Sequence, residues 1–349
     1  MVVGGDMTLR AVLIGCGRMS RKWLESAERI EGLSLVGLVD LDTEAARARA
    51  EEFMLADAVI STDLSEVLSK TRPDVVFDVV VPSARKGVVL NALRHGCHVL
   101  SEKPIAENMA DARELVQAAK TAGKLHVIVQ NRRYIEGVRR LRAFLEKGYL
   151  GRITSMHSDF FLAPHFGGFR ETMDHVLLLD MAIHTFDAAR YIAGSMPQSV
   201  YCHEANPVNS WYANGASAYA IFEFADNITY TYRGSWCAEG SPTSWESTWR
   251  IIGEHGTVEW DGNGAFHAAR TVCRDNFLSK PEPVTVESLE TEDGLGGHLG
   301  VMRDFVEAVR GNKVPETASE ENINSLAMVM GAIQSAETRQ RVVIERPIS

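Results

Sequence analysis

The first third of the chain alternates between short, β-branched apolar segments and longer segments with the spacing of amphipathic helices. Continuous apolar segments of this length are typical of strands that are buried on both faces of a sheet. Because strand-like and helix-like segments follow each other in turn, we expect a doubly wound parallel α/β sheet. The predicted strands cover residues 9–14, 33–39, 58–60, 75–81, 98–100 and 125–129, and the predicted helices cover residues 18–30, 43–53, 64–69, 85–94 and 109–122.

The pattern changes after about Val129. Segments of alternating polarity, which are typical of antiparallel strands, now surround a few helical patterns. We therefore expect two domains: residues 1–128, with the parallel sheet, and residues 129–349, an α+β domain with a large, mostly antiparallel open sheet. Segment 276–297 is acidic and ends in glycines, which predicts a surface loop able to fold over a ligand. The strands predicted here are 153–161, 217–224, 228–236, 249–252 and 342–344, and the helices are 136–147, 175–192, 299–310 and 320–338.

Composition and charge exclude several classes of protein. Apolar residues make up 45% of the chain and charged residues 23%, which is too apolar for a disordered protein. The net charge of −10 is spread along the chain without a basic block, so nucleic acid is not an expected partner. No apolar stretch reaches the ~18 residues that cross a bilayer, and the first residues lack a secretory signal. We therefore expect a cytoplasmic protein with no membrane partner.

The cysteines and histidines give no sign of a disulfide framework or a metal site. The five cysteines are scattered along the chain and are odd in number. The histidines do not form a close metal-binding spacing. We expect free thiols and no metal.

The turn between the first predicted strand and the first predicted helix reads Gly15-Cys16-Gly17-Arg18-Met19-Ser20. In a dinucleotide-binding turn, one glycine allows a tight bend, a second lets the backbone approach the pyrophosphate, and the helix N-terminus binds that anion. Ser20 stands where glycine or alanine is usual, and its small side chain still permits close packing. A plain strand-to-helix turn is the alternative interpretation of two glycines.

Asp40 supports the dinucleotide interpretation. It ends the second predicted strand, close to the ~20-residue spacing of the acid that accepts hydrogen bonds from the adenosine ribose. A carboxylate there repels a 2′-phosphate, so we predict NAD in preference to NADP. Arg47 and Arg49 downstream would change that preference if their loop turned inward. The alternative for Asp40 is a helix-capping or turn role, which Asp42 fills more naturally.

Four segments together resemble the Gfo/Idh/MocA family of nicotinamide-dependent oxidoreductases. They are the glycine turn, residues 79–82, the segment CHVLSEKP that ends at Pro104, and LLLDMAIHTFD at 177–187. The resemblance covers nearly the whole chain and implies an NAD-binding Rossmann domain over residues 1–128, followed by a substrate-binding and oligomerisation domain. It also implies a homodimer or homotetramer, because the sheet of the second domain commonly packs between subunits in this family.

The resemblance also implies roles for individual residues. Lys103 would stand near the nicotinamide and the reacting carbon, Glu102 near the nicotinamide ribose, and Asp180 and His184 would be the acid/base pair. Where the family often has asparagine and histidine after the fourth strand, this chain has Ser83 and Lys86, so the contacts of that loop are open. The implied cofactor-binding residues are Gly15, Gly17, Arg18, Met19, Asp40, Pro82, Ser83, Glu102 and Lys103.

The spacing of Asp180 and His184 agrees with a catalytic role. Residues four apart on a helix share a face, about 6 Å from each other. A carboxylate beside an imidazole favours the protonated ring and holds its orientation, which suits a proton-transferring group near neutral pH. The alternative is a surface ion pair, but apolar residues on both sides predict a buried helix, where an idle charge would be costly.

Other residues carry weaker predictions. Arg133 aligns with a segment that the family uses near its substrate, although a basic surface turn is an equal alternative. The segment FGGFR at 166–170 is either a substrate-gating loop or a plain connection. Asp187, one helical turn after His184, is either a second orienting carboxylate or a solvated residue.

The sequence thus predicts an NAD-dependent dehydrogenase that acts on a secondary hydroxyl of a sugar, a polyol or a related small molecule. Lys103 would polarise the substrate oxygen, and His184, held by Asp180, would move the proton. Two alternatives stay open. One is a glycoside hydrolase that uses bound NAD transiently, and the other is a non-catalytic sensor that binds a dinucleotide.

Overall fold

A computed structural model of the chain describes residues 8–273, 277–278, 280–289, 296–311 and 313–345. The chain divides into two compact units. Among the described residues, the first unit comprises 8–131 and 296–324, and the second comprises 132–289 and 325–345.

The first unit is built on a six-stranded sheet in which every pairing is parallel. The strand order is β3-β2-β1-β4-β5-β6, so the direction of winding reverses between β1 and β4. In open α/β sheets, ligands bind at the carboxyl ends of the strands beside such a reversal. The strands are β1 (Leu9–Ile14), β2 (Leu33–Val39), β3 (Val59–Ser61), β4 (Val75–Asp78), β5 (His98–Ser101) and β6 (His126–Ile128).

Helices connect successive strands of this sheet, and capping residues in the sequence account for where several of them begin and end. Asp42 and Asp63 cap α2 and α3 through backbone amides of the first turn, and Gly123 ends α5 in the left-handed conformation that glycine adopts without strain. The helices are α1 (Ser20–Ala27), α2 (Thr43–Glu52), α3 (Leu64–Thr71), α4 (Pro82–Arg94) and α5 (Met109–Ala122).

A fully buried ion pair lies under the carboxyl edge of this sheet. Arg85 on α4 donates from Nε to Asp78 Oδ2 at 3.0 Å, and both side chains are at most 1% exposed. Its other two nitrogens donate to the carbonyl oxygens of Val80 at 2.7 Å and Pro104 at 2.6 Å. One guanidinium therefore joins the segment after β4 to the segment after β5.

The second unit contains a nine-stranded sheet of order β14-β13-β12-β11-β7-β10-β9-β8-β15. The central β7–β10 pair is parallel and the other pairings are antiparallel, as the sequence predicted for this half of the chain. The strands are β7 (Ile153–Phe161), β8 (Pro197–Ala205), β9 (Ser217–Phe224), β10 (Thr229–Ser235), β11 (Thr248–Gly253), β12 (Gly256–Trp260), β13 (Phe266–Cys273), β14 (Lys280–Val284) and β15 (Val342–Val343).

Helices and aromatic side chains cover one face of this sheet. Phe186 packs edge-on against Phe222 and Tyr232, with ring centroids 4.8 and 5.1 Å apart.

The helices after α5 belong to both units of the chain. They are α6 (Glu136–Glu146), α7 (Ile183–Ala193), α8 (Gly297–Gly311) and α9 (Ser319–Thr338). Short 3₁₀ turns cover Asn131–Tyr134, Gly168–Thr172 and Ala225–Asn227, and a π-helical turn covers Leu177–Ala182.

Two sequence predictions are corrected here. The loop predicted over 276–297 contains strand β14, whose two prolines and charged residues hide the strand pattern; residues 276, 279 and 290–295 of that prediction lie outside the described residues. The helix predicted from residue 175 has π-helical geometry over Leu177–Ala182 and becomes α-helical only at Ile183. Within the described ranges, no helix has the length and hydropathy to span a membrane.

We predict that Arg85→Met lowers the free energy of unfolding by about 3–5 kcal/mol, because it leaves the Asp78 carboxylate buried without its partner. Arg152→Met is the matched control. Arg152 pairs with Glu254 at the surface, where its side chain is 88% exposed, and such a pair contributes less than about 1 kcal/mol. Urea denaturation followed by circular dichroism measures both changes, and equal losses would contradict the assignment.

Candidate active site

The loop after β1, which we call the cradle, combines a turn that requires glycine with a backbone that is open at its tip. Gly15 adopts a φ of +95°, and a Cβ there would lie 2.6 Å from the carbonyl oxygen of Val79, so only glycine fits. A Cβ at Gly17 would meet no heavy atom within 4 Å, so the backbone at this position borders open space. Helix α1 begins at Ser20 without a side-chain cap, which leaves N–H groups of its first turn available to an anion.

Ser20 and Arg49 hold this loop together. Ser20 is fully buried, and its Oγ donates to the carbonyl of Gly17 at 2.6 Å. The same Oγ accepts from Arg49 Nε at 2.9 Å. Arg49 therefore turns inward, toward the backbone of the loop, whereas Arg47 pairs with Glu44 at the surface. The serine at the third position thus fixes the loop through hydrogen bonds.

Asp40 fastens the end of β2 to the glycine loop. Its Oδ2 accepts from the backbone amide of Cys16 at 2.6 Å, and its Oδ1 accepts from the amide of Asp42 at 2.9 Å. Asp42 caps α2, so the helix-capping alternative for Asp40 is wrong, whereas its bond to the Asp42 amide is a turn role. Burial, followed by the negative charge of Asp40, raises the pKa of the Cys16 thiol to about 12, so this thiol stays neutral.

Glu102 is held by three donors at the end of β5. Its Oε1 accepts from the indole of Trp23 at 2.8 Å and lies 3.4 Å from His298 Nε2, and its Oε2 accepts from the amide of Lys103 at 3.2 Å. Burial disfavours the charged carboxylate, but the bond to His298 and the smaller contributions of Trp23 and Lys103 outweigh it and lower the pKa of Glu102. Glu102 is therefore an oriented anion beside Lys103.

The other predicted cofactor-binding residues of the first unit lie around the same carboxyl edge of the parallel sheet. Gly17, Arg18 and Met19 form the exposed tip of the glycine loop. Pro82 opens α4, followed by an exposed Ser83. Lys86 is one turn further along, and its ammonium pairs with Asp111 and Glu114 on α5. Lys86, which departs from the family pattern, therefore stabilises the contact between α4 and α5.

In the second unit, the π-helical turn carries Asp180, and the α-helix that follows carries His184. Asp180 accepts a two-point contact from Arg170, at 2.5 Å from Nε and 3.4 Å from Nη2. His184 lines a narrow cavity together with Met181 and Trp245. π-Helical turns are rare, and those that occur are often located at functional sites.

Arg133 and Asp187 form a second buried ion pair in this unit. The guanidinium donates from Nε and Nη2 to the two carboxylate oxygens at 2.7 and 2.8 Å, and Asp187 is fully buried. Asp187 also accepts from Ser325 at 2.6 Å. The solvated alternative for Asp187 is therefore wrong. The pairing favours a structural role for Arg133, whose substrate contact stays a prediction.

Sequence reasoning missed Arg85 and Trp23, and it assigned no individual role to Arg170 or His298. One signal was present, because a charged residue inside the apolar segment VVFDVVV requires a buried partner, and Arg85 is the first arginine after it. The partners of Trp23, Arg170 and His298 come from distant parts of the sequence or from a loop, so spacing along the chain does not reveal them.

Comparison with known proteins agrees with this architecture. A family model described as "Oxidoreductase family, NAD-binding Rossmann fold" matches residues 9–130, and a Gfo/Idh/MocA C-terminal domain model matches residues 138–259. The chain is 28% identical to D-glucoside 3-dehydrogenase of Escherichia coli, covering 96% of this chain and 97% of that protein. It is 25% identical to 1,5-anhydro-D-fructose reductase of Ensifer adhaerens, covering 95% and 98%.

Solved structures share the fold at lower identity. An oxidoreductase from Agrobacterium radiobacter, crystallised with NAD⁺, L-tartaric acid and magnesium, superposes with a TM-score of 0.85 at 18% identity, covering 97% of this chain and 99% of that one. The two family models together span both units of the structure. The chain therefore belongs to the Gfo/Idh/MocA family of oxidoreductases.

Proposed function

We propose that the protein is an NAD-dependent dehydrogenase that oxidises a secondary hydroxyl of a sugar or polyol, or reduces the matching carbonyl. The observation that carries the proposal is the glycine loop fastened to Asp40 at the winding reversal of the parallel sheet. Family membership and the dehydrogenase and reductase names of full-length relatives support it.

The residues of the first unit fit the dinucleotide. The cradle at Gly17 is open, the amides at the start of α1 suit the pyrophosphate, and the Asp40 carboxylate suits the two hydroxyls of the adenosine ribose. Arg49 turns toward the loop, but its three nitrogens already contact Ser20, Glu52 and Gly17. We therefore expect the Asp40 carboxylate to favour NAD over NADP. When bound, the nicotinamide supplies hydride transfer at the substrate carbon.

The chain's own residues supply orientation and proton transfer. We assign the first unit to cofactor binding and the second unit to substrate binding. His184 accepts the hydroxyl proton during oxidation and returns it during reduction, and Asp180 orients the substrate or the imidazole. Lys103 donates to the substrate oxygen and stabilises its developing negative charge. The Glu102 carboxylate accepts a hydrogen bond from the backbone amide of Lys103 and so holds that backbone in place.

The open face of the nine-stranded sheet supports a homo-oligomer, as a dimer or tetramer. Tyr201, Tyr219 and Ile221 on β8 and β9 are 45–49% exposed, a patch larger than single scattered apolar residues. Ion pairs between Arg233 and Asp159 and between Arg250 and Glu259 lie on the same sheet. A surface with both charges suits a second copy related by a two-fold axis.

We predict that His184→Ala lowers kcat by about 10²–10⁴-fold on the best substrate, because general acid/base catalysis contributes on that order. NAD affinity is expected to stay unchanged. His95→Ala, at the exposed end of α4, is the control and leaves kcat intact. A panel of sugars and polyols, with NADH formation followed at 340 nm, measures the effect. A kcat within twofold of wild type would refute the role of His184.

We predict different effects for two loop substitutions. Gly15→Ala lowers the melting temperature, because its Cβ collides with Val79 and its φ is strained. Gly17→Ala keeps the melting temperature but weakens NAD binding about tenfold, because the methyl group fills the cradle. Gly87→Ala, a position on α4 with open space around its Cβ, is the control. Calorimetric titration with NAD and NADP measures affinity, and tighter binding of NADP would contradict the role of Asp40.

We predict that Tyr219→Asp converts the oligomer to monomers, because a charge would be buried at the contact. Val208→Asp is the control, since Val208 is fully exposed in the loop between β8 and β9. Sedimentation velocity reports the molecular mass of each variant. A monomeric wild-type protein would rule out this interface.

A further inference from the structure

Three aromatic side chains of the second unit are exposed close to Asp180. Phe166, Phe169 and Trp245 are 40%, 53% and 43% exposed, and we call them the aromatic platform. The rings of Phe166 and Trp245 lie 6.2 Å apart between centroids. Phe166 also packs on the buried Trp236 at 5.6 Å, so the platform has a fixed base. A group of exposed apolar rings is typical of a surface that binds a ligand or partner.

Arg170 joins this platform to Asp180. Its guanidinium carbon lies 5.0 Å from the ring centroid of Phe166 and 4.8 Å from that of Phe169. The same group makes the two-point contact with Asp180 through Nε and Nη2. Among the described residues, Nη1 makes no hydrogen bond, so Arg170 has donors left for a ligand.

The platform also reaches the cavity of His184. Trp245 lines that cavity together with His184, and its ring is the one that meets Phe166. Trp245 therefore connects the aromatic platform to the residues that line the cavity of His184. A ligand that places a hydroxyl at His184 and extends along this surface meets aromatic faces next.

We propose that the substrate is a neutral glycoside, whose second ring or aglycone lies on the aromatic platform while the reacting sugar meets His184. This inference rests on the proposed function and names its substrate class. The apolar C–H face of a pyranose or an aryl ring suits exposed phenyl and indole rings, and Arg170 donates to hydroxyl or ether oxygens.

Charge gives an acidic sugar no advantage at this place. Asp180 balances the charge of Arg170, so the pair together is neutral. A uronate or aldonate would lose hydration of its carboxylate without meeting a net positive charge. Neutral glycosides have no such cost.

The test compares four substrates of one sugar: the free monosaccharide, its methyl glycoside, its phenyl glycoside and its uronate. We expect kcat/KM for the phenyl glycoside to exceed that for the monosaccharide at least tenfold, and the uronate to be the poorest. Phe169→Ala is expected to reduce this preference about fivefold or more. Tyr149→Ala, which removes an exposed ring elsewhere in the second unit, leaves the preference unchanged.

Equal kcat/KM for monosaccharide and phenyl glycoside, or a preference for the uronate, overturns the inference and leaves the proposed function standing. A uniform loss on all substrates in Phe169→Ala, with the preference unchanged, also overturns it. Calorimetric binding of the phenyl glycoside to His184→Ala with NAD present gives a readout without turnover. Binding no tighter than that of the monosaccharide contradicts the platform even if no sugar is oxidised.

Discussion

The first unit depends on the buried contact between Arg85 and Asp78. A carboxylate in the middle of a parallel sheet is tolerated only when a cation and hydrogen bonds replace its water. Arg85 supplies both, and it also binds the carbonyls of Val80 and Pro104. The segments that follow β4 and β5 are therefore anchored to one guanidinium.

Most of the first unit could be predicted from the sequence because its signals are local. A buried strand, a glycine turn and an N-cap each occupy a few consecutive residues, so the parallel sheet and the geometry of Gly15 followed from short segments. The link between Ser20 and Arg49 could not be predicted, because it joins residues on two helices through side-chain conformations. The same reason applies to Trp23 and His298 around Glu102.

The second unit was less predictable for a different reason. Strands β8 and β14 contain prolines and charged residues, so their alternation of polarity is interrupted. The sequence pattern indicated a helix around Asp180, but nothing in the spacing of apolar residues distinguishes a π-helical turn from an α-helical one. Arg170 reaches Asp180 from a 3₁₀ turn that begins at the second of two glycines, and the sequence pattern left the conformation of this segment open.

The π-helical turn over Leu177–Ala182 makes the register of this helix sensitive to length. Each residue of an α-helix advances the chain by about 100° around the axis. A one-residue deletion in the turn would therefore rotate Asp180 by about 100° relative to the residues of α7. We therefore expect relatives to differ in this segment by substitutions, and not by insertions or deletions.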